Sequence, residues 1–287
     1  MTATFEKFEE VLCIGRPDNL ERRAHIHSEF CRVNLENYQF VDALNPDSEA
    51  VLALFASDFV KKYPPCFRCG QNACECENKC LFPAQVANWL SHMKAWQHVA
   101  IHDSSGLVLL CEDDVKFTDC VDSVIEAVFE STLVGKSLAD DRPVLVRLGW
   151  AWCADHLNDG PPQLVNEVKM SNPCYAINQP MARSLLNSLT RIETTSDIYV
   201  HRVVGTKADH YTAMPPAAYE LSWSTGELRS EIRPKKRRIQ YLQDQLGQVD
   251  PREATYKRLQ REIEEEERAI HKFDALNAKP GSAPFAR

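Results

Sequence analysis

The sequence lacks any apolar stretch that approaches the ~20 residues of a membrane-spanning helix. Its first ten residues include four charged side chains and no apolar core, whereas a secretory signal peptide needs such a core. A basic excess is also missing, because the net charge is -8; general nucleic-acid binders and polybasic membrane-surface proteins are usually basic. We therefore expect a cytoplasmic, soluble protein with no integral membrane segment and no nucleic-acid partner.

The 287 residues, of which 44% are hydrophobic, suffice for one large domain or two smaller ones. Short apolar runs alternate with segments of helical periodicity, which predicts an α/β sandwich with a mostly parallel central sheet. The predicted strands are 10–15, 39–41, 107–111, 143–149 and 172–177. The predicted helices are 20–31, 47–63, 82–102, 121–134 and 180–189.

The C-terminal part of the chain differs in composition from the rest. Residues 229–278 are rich in charge, and apolar residues recur there every three or four positions on both sides of Gly247 and Pro251. This pattern predicts a charged helical hairpin, whose narrow apolar seam could also pair two copies of the chain into a homo-oligomer. We therefore divide the chain into a domain at 1–228, the hairpin at 229–278 and a disordered tail at 279–287.

Three consecutive carboxylates follow an apolar run at Val108–Cys111: Glu112, Asp113 and Asp114. The run is typical of a buried strand. Adjacent carboxylates repel one another, and a divalent cation among their oxygens relieves that repulsion. Alternate residues of an extended segment face the same side, so Glu112 and Asp114 can share a metal while Asp113 points away. A solvated acidic strand end is the alternative.

Five cysteines lie within fifteen positions, with Gly70 and Asn72 available to turn the chain. Their spacing suits a tetrahedral structural zinc, and so close a set does not easily form strain-free disulfides. Four of the five would complete the site. A redox or disulfide loop is the alternative. The five are Cys66, Cys69, Cys74, Cys76 and Cys80.

An ordered set of motifs resembles glycosyltransferase family 25, which includes lipooligosaccharide and procollagen galactosyltransferases. Ser91-His92-x-x-x-Trp96 precedes Glu112-Asp113-Asp114-Val115, and Ala87-Asn88 stands where the family usually has Gly-Cys. The first strand runs into Ile14-Gly15-Arg16-Pro17 and the paired arginines Arg22-Arg23. The stretches Val41-Asp42-Ala43, Cys174-Tyr175-Ala176-Ile177 and Thr195-Ser196-Asp197 are similar to further family segments, so the resemblance covers roughly residues 11–232.

The resemblance implies a GT-A type fold and an inverting transfer of a sugar, with galactose or glucose favoured, from a UDP-sugar to a glycan or protein acceptor. It also implies catalytic Mn2+ or Mg2+ held by Glu112 and Asp114, Asp197 as the catalytic base by its position, and His92 as a further catalytic residue lining the site. Residues implied to contact the nucleotide sugar are Gly15, Arg16, Arg22, Arg23, Asp42, Ser91 and Asp113.

Other interpretations remain open for some of these residues and for the whole chain. Asp197 could serve only to start a helix, His92 could be a satisfied buried histidine, and Arg22 and Arg23 could be surface charge. The chain could also be a catalytically inert relative that acts as a zinc-loop and coiled-coil interaction module. A metal-dependent phosphohydrolase would need a second cluster of acids or histidines, and the sequence offers no clear one.

Overall fold

The computed structural model of the chain describes residues 4–76, 79–102, 105–151, 156, 160–232, 236–251 and 253–278. The tail predicted at 279–287 lies outside these residues. Of the helices in the described part, none is long and apolar enough to cross a membrane.

Strands and helices alternate along the chain, which confirms the predicted mixed α/β class. The strands are β1 (Glu10–Gly15), β2 (Gln39–Asp42), β3 (Val108–Glu112), β4 (Val115–Phe117), β5 (Val144–Gly149), β6 (Gln163–Val165), β7 (Cys174–Ile177), β8 (Asp209–Met214) and β9 (Ala218–Glu220). The α-helices are α1 (Leu20–Arg32), α2 (Glu49–Ala56), α3 (Pro83–Ile101), α4 (Val121–Glu130), α5 (Thr132–Ala139), α6 (Gln179–Asn187), α7 (Ser196–Lys207), α8 (Leu221–Ser224), α9 (Lys236–Leu246) and α10 (Ala254–Ala278). A 3-10 helix at Thr4–Lys7 precedes β1.

Seven strands form one sheet in the order β2-β1-β3-β7-β5-β8-β6. β1 is parallel to β2 and β3, and β5 is parallel to β8. β7 is antiparallel to both of its neighbours, β3 and β5, and the edge strand β6 is antiparallel to β8. Five of the seven strands therefore run in one direction, and the carboxyl ends of β1, β2 and β3 meet at one edge of the sheet. In open α/β sheets this edge is where ligands bind.

The central strands are buried on both faces, which explains why they appear in the sequence as continuous apolar runs. Val108, Leu109, Leu110 and Cys111 of β3 are all buried. Leu109 and Cys111 belong to a core that also contains Ile26 and Phe30 of α1 and apolar residues of α4. This layer of helix against sheet fixes where α1 begins relative to the end of β3.

Two predicted helices differ from the observed ones. The helix predicted at 47–63 ends at Ala56, because the Ser57 N–H bonds to the carbonyls of Ala53 and Leu54 and closes the last turn. Val60 then pairs with Ile192 in an isolated parallel bridge, a distant pairing that local periodicity does not reveal. The helix predicted at 121–134 is interrupted by Ser131, which has an extended ψ of 116° and whose hydroxyl caps α5 by accepting from the Val134 N–H.

The chain divides into two compact units, each built from separate segments. The first comprises Met1–Asn45, Ala87–Thr190 and Thr195–Glu220, and the second comprises Pro46–Val86, Arg191–Thr194 and Leu221–Arg287. In the second unit, α9 and α10 pack through Leu242, Leu259 and Ile263, with a shallow groove beside them lined by polar and charged side chains as well as Ile239 and Ile270. The large sheet lies in the first unit, together with Glu112, Asp113 and Asp114.

Candidate functional site

The acid cluster, Glu112, Asp113 and Asp114, lies at the carboxyl end of β3. The strand ends at Glu112, Asp113 and Asp114 form a turn, and β4 begins at Val115. Both aspartates are buried, at 4% and 3% relative exposure. The expectation that alternate residues share one side assumed extended backbone through Asp114 and was wrong, because the turn breaks the alternation after Glu112. The two aspartates are nonetheless buried and the Glu112 side chain is only 24% exposed, which argues against a fully solvated strand end.

A buried arginine joins the two aspartates. Arg22 Nη1 donates to Asp113 Oδ1 over 2.5 Å, and Arg22 Nη2 donates to Asp114 Oδ2 over 3.3 Å. Arg22 lies in the first turn of α1, and its backbone N–H bonds to the Asn19 side chain that caps this helix. The cap thus fixes the residue from which the guanidinium reaches the acids. These contacts favour charge compensation of Asp113 and Asp114 over the phosphate contact predicted for Arg22.

Gly15 allows Asp113 to lie against the end of β1. A Cβ on Gly15 would lie 2.8 Å from Asp113 Oδ2 and 2.9 Å from Asp113 Cβ, which is closer than such atoms pack. The predicted role of Gly15 in the site therefore has a steric basis, although its close neighbour is a carboxylate.

Arg23 holds the ends of β1 and β2 together. Its guanidinium donates to the carbonyl of Gly15 over 2.7 Å and to Asp42 Oδ1 over 2.8 Å, and it stacks on the Phe40 ring at 3.6 Å. Arg16, next along the chain, pairs with the exposed Asp18. The predicted nucleotide-contact residues Arg16, Arg23 and Asp42 thus occupy the same sheet edge, where the contacts of Arg23 and Asp42 stabilise the strand ends.

His92 connects Glu112 to the protein interior. Its Nε2 lies 2.9 Å from Glu112 Oε1, and its Nδ1 lies 3.0 Å from the hydroxyl of Tyr175, which also accepts from Trp96 Nε1 over 2.9 Å. Because burial raises the pKa of Tyr175, this hydroxyl keeps its proton and can donate it to His92 Nδ1. His92 then carries its proton on Nε2 and donates it to Glu112. Both ring nitrogens are thereby engaged, which favours a positioning role over the catalytic one predicted.

Asn88 connects the acid cluster to the start of α7. Its Nδ2 donates to Glu112 Oε1 over 3.2 Å, and its Oδ1 accepts from Ser196 Oγ over 2.8 Å. Asp197 follows Ser196 in the first turn of α7, whose N-cap is Thr195. The cap position that was the alternative for Asp197 therefore belongs to Thr195. In the sequence, Asn88 differs from the family pattern, and α3 carries several other polar residues, so nothing in the pattern indicates this bridging role.

Ser91 lies one residue before His92 on α3 and is also buried. Its hydroxyl donates to the Ala87 carbonyl over 2.6 Å and accepts from the Leu44 N–H over 3.0 Å. Ser91 thus fixes the segment that follows β2, rather than presenting its hydroxyl to a ligand.

Two carboxylate oxygens of the acid cluster are available to a cation. Asp114 Oδ1 is buried and has no hydrogen-bond partner among the described residues. Glu112 uses Oε1 for both His92 and Asn88. The second available oxygen is therefore Glu112 Oε2, on a side chain that is 24% exposed. Oxygen ligands of this kind suit Mg2+ and Mn2+, and Mg2+ is usually bound by one or two carboxylates together with substrate phosphates. The chemistry of these oxygens suits the predicted metal, but in the described part of the chain the three acids do not form a group of ligand atoms that all lie within 4.8 Å of one another.

A second group of candidate ligands, the thiol cluster, comprises Cys66, Cys69, Cys74 and Cys76 in the second unit. One ligand atom from each lies within 4.8 Å of the others, and Cys80 is outside this group. Burial alone would raise the pKa of Cys66, but the backbone N–H groups of Cys69 and Arg68 outweigh it and lower the pKa to about 7. Hydrogen bonds with Cys69 and Cys74 raise the pKa of Cys76 to about 12.

Strand β5 contains a buried arginine inside an apolar run, where the sequence pattern gives no sign of its role. Arg147 is fully buried, and its Nη2 contacts His201 Nδ1 of α7 at 2.9 Å. In the part of the chain that the structure describes, Arg147 Nε and Nη1 and His201 Nε2 have no hydrogen-bond partner. Burial and the neighbouring Arg147 charge lower the pKa of His201 to about 4, so this imidazole is neutral at pH 7.

Comparison with protein families finds a match in the N-terminal half of the chain. Residues 11–143 match the family described as Glycosyltransferase family 25 (LPS biosynthesis protein). Among curated proteins, no match is found. The matched segment contains the acid cluster, Arg22, Gly15 and His92, whereas Tyr175 and Asp197 lie beyond it. The match confirms, for residues 11–143, the resemblance to glycosyltransferase family 25, and it indicates a glycosyltransferase.

Proposed function

We propose that the protein is a metal-dependent inverting glycosyltransferase that uses a UDP-sugar, with galactose or glucose favoured, and a glycan or protein acceptor. The observation that carries the proposal is the acid cluster at the carboxyl edge of β1, β2 and β3, where Asp114 Oδ1 is buried without a hydrogen bond to any described residue. A buried carboxylate oxygen left in this state is costly, and a bound cation would satisfy it. A GT-A type arrangement of this edge is part of the proposal.

Glu112 and Asp114 would hold Mn2+ or Mg2+, and the ion would supply Lewis-acid neutralisation of the diphosphate leaving group. His92 and Asn88 hold Glu112 Oε1 and so orient the carboxylate toward a cation. Arg22 pairs with Asp113 and Asp114 and offsets one of their two negative charges, which reduces the repulsion among the three adjacent acids before substrate binds.

Inversion proceeds by a single displacement. The acceptor hydroxyl oxygen bonds to the anomeric carbon as the bond from that carbon to the diphosphate oxygen breaks, and UDP leaves with the bonding electron pair. We assign the acceptor proton to Asp197 as general base. This assignment is supported by the bridge from Glu112 through Asn88 to Ser196, the residue before Asp197.

The proposal is tested by titrating the full chain with UDP, UDP-galactose and UDP-glucose, with and without Mn2+, in a calorimeter. We expect Mn2+-dependent binding, which Asp114→Asn and Glu112→Gln weaken at least about tenfold, because even loss of an outer partner of a metal ligand typically costs that much. Asp119→Asn is the matched control, since Asp119 is a fully exposed carboxylate shortly after the acid cluster, and it should bind like the wild type.

Two results would count against the proposal. Equal Mn2+-dependent binding by the wild type and Asp114→Asn would show that Asp114 does not hold the metal. Failure of the folded chain to bind any nucleotide sugar would favour the interaction module, in which a zinc loop and the C-terminal helices bind partners or a second copy.

A further inference from the structure

Four cysteines of one loop converge although they are spread over eleven positions. The sulfur atoms of Cys66, Cys69, Cys74 and Cys76 all lie within 4.8 Å of one another, and Cys66 is buried. In a tetrahedral zinc site with Zn–S bonds of ~2.3 Å, the sulfurs are about 3.8 Å apart. A disulfide would instead require ~2.05 Å between two of them, and the described cysteines are free thiols. The spacing of the thiol cluster therefore suits a single ion.

The backbone of the loop is shaped around Cys66. The Cys66 N–H bonds to the Gln71 carbonyl over 2.9 Å, and the Gly70 N–H bonds to the Cys66 carbonyl over 2.8 Å. Gly70 has a φ of 77°, a left-handed conformation that glycine adopts without steric cost. The Arg68 N–H points to Cys66 Sγ at 3.4 Å. Outer hydrogen bonds of this kind orient ligands in metal sites.

Side chains on both flanks of the loop also hydrogen-bond to its backbone. The Tyr63 hydroxyl donates to the Asn72 carbonyl over 3.0 Å, and Lys79 Nζ donates to the Cys74 carbonyl over 3.2 Å. These bonds hold the two halves of the loop near each other without help from a disulfide. They leave four thiols facing one point, where four thiolates would repel one another unless a cation neutralised them.

We propose that Cys66, Cys69, Cys74 and Cys76 bind one structural Zn2+ and that Cys80 is not a ligand. Four thiolates fill all four positions of a tetrahedral zinc and leave none for a substrate or water, so the site is structural. An iron–sulfur cluster also takes four cysteines, but a cluster of several metal ions would hold the ligand sulfurs further apart than one ion does. Soft thiolates select zinc, whereas the oxygens of the acid cluster suit Mg2+ or Mn2+, so the two sites would not compete for one metal.

The first test measures the metal content of the full chain, purified without added metal, by inductively coupled plasma mass spectrometry. We expect about one zinc per chain in the wild type and the same content in Cys80→Ser, the control from the same loop. Cys69→Ser and Cys76→Ser should lose most of it. Wild-type zinc content retained in both of these variants, or iron in place of zinc, would overturn the assignment.

A second test uses only wild-type protein and so does not depend on the folding of variants. Thiol titration of the native chain should show four additional reactive thiols after treatment with a strong chelator, because the four ligands of the thiol cluster are protected while zinc is bound. No change in thiol count on chelation, or disulfides among these cysteines in the peptide map, would refute the zinc site.

A third group, Glu10, His98 and His102, also has ligand atoms within 4.8 Å of one another and could take up metal at the surface. Replacement of zinc by Co2+ separates the two sites, since only the thiol cluster can give thiolate-to-cobalt charge-transfer absorption. This absorption should survive in His98→Gln/His102→Gln and disappear in Cys69→Ser. Co2+ that binds the wild type without this absorption, and that no longer binds His98→Gln/His102→Gln, would assign the metal to the histidines.

Discussion

Replacement of Gly15 by alanine tests the close approach between β1 and the acid cluster. The added Cβ would lie 2.8 Å from Asp113 Oδ2 and 2.9 Å from Asp113 Cβ, so either β1 or Asp113 must move. Asp113 cannot move freely, because Arg22 Nη1 holds its other oxygen at 2.5 Å in a buried pair. Forcing one extra carbon into a packed site costs about 1–3 kcal/mol, and we expect Gly15→Ala to destabilise the protein by that amount.

Thermal unfolding followed by tryptophan fluorescence provides the assay. Trp89, Trp96 and Trp150 are buried in the same unit as Gly15, so their emission reports on this unit. For a chain of this size, each kcal/mol shifts Tm by roughly 2 °C, and the expected decrease in Tm is therefore about 2–6 °C. The displaced Asp113 should also weaken Mn2+-dependent UDP binding, if the proposed function is right.

Gly135→Ala is the matched control. Gly135 lies in α5, and a Cβ there would meet nothing within 4 Å. Alanine should therefore stabilise this helix by about 0.5–1 kcal/mol through its higher helix propensity. The steric argument fails if the free energy of unfolding of Gly15→Ala is within about 0.5 kcal/mol of the wild-type value, the usual range of a surface substitution.

Two further substitutions test buried hydrogen bonds. Tyr175→Phe removes the hydroxyl shared by His92 and Trp96 and leaves two buried groups unpaired. We therefore expect the free energy of unfolding, measured by chemical denaturation, to fall by about 1–3 kcal/mol for each group. Stability equal to the wild type would show that the network is not formed. His201 has a pKa lowered from 6.5 to about 4, so the unfolded chain binds its proton first as pH falls, and up to about 3 kcal/mol of stability should be lost between pH 6.5 and 4. His201→Gln should flatten the pH dependence of Tm in this range, and an unchanged slope would contradict the assignment.

The sequence was sufficient to predict three strand ends that the fold brings to one edge of the sheet. Gly15, Asp42 and Glu112 each end an apolar run, and parallel strands bring their carboxyl ends to one edge. The thiol cluster could also be predicted, since its four cysteines lie within eleven positions and such spacing is typical of a metal site. What spacing could not decide was which four of the five thiols converge, because that depends on the turn at Gly70.

The partners of the site residues could not be predicted, because they come from distant parts of the chain. Arg22 and Asp113 are 91 residues apart, and their contact depends on how the Asn19 cap and the packed face of α1 place the first turn of that helix. The sequence predicts that His92 lines a cleft. In the structure, the Tyr175 hydroxyl, on a strand far along the chain, contacts His92 Nδ1. Sequence therefore identified the chemical groups, whereas tertiary packing determined which of them remain available to a ligand.

The three acids of the cluster are consequently not equivalent. Arg22 compensates one of the three carboxylates, so a fully ionised cluster keeps two formal negative charges in a partly buried position. A diphosphate brings further negative charge to the same edge, and at close range in a partly buried site this repulsion amounts to several kcal/mol. One divalent cation would cancel the two remaining charges and leave its own open positions for phosphate oxygens. On the proposed function, the metal must therefore bind before or together with the nucleotide, which is why the Mn2+-free titration separates this mechanism from simple nucleotide binding by Arg16 and Arg23.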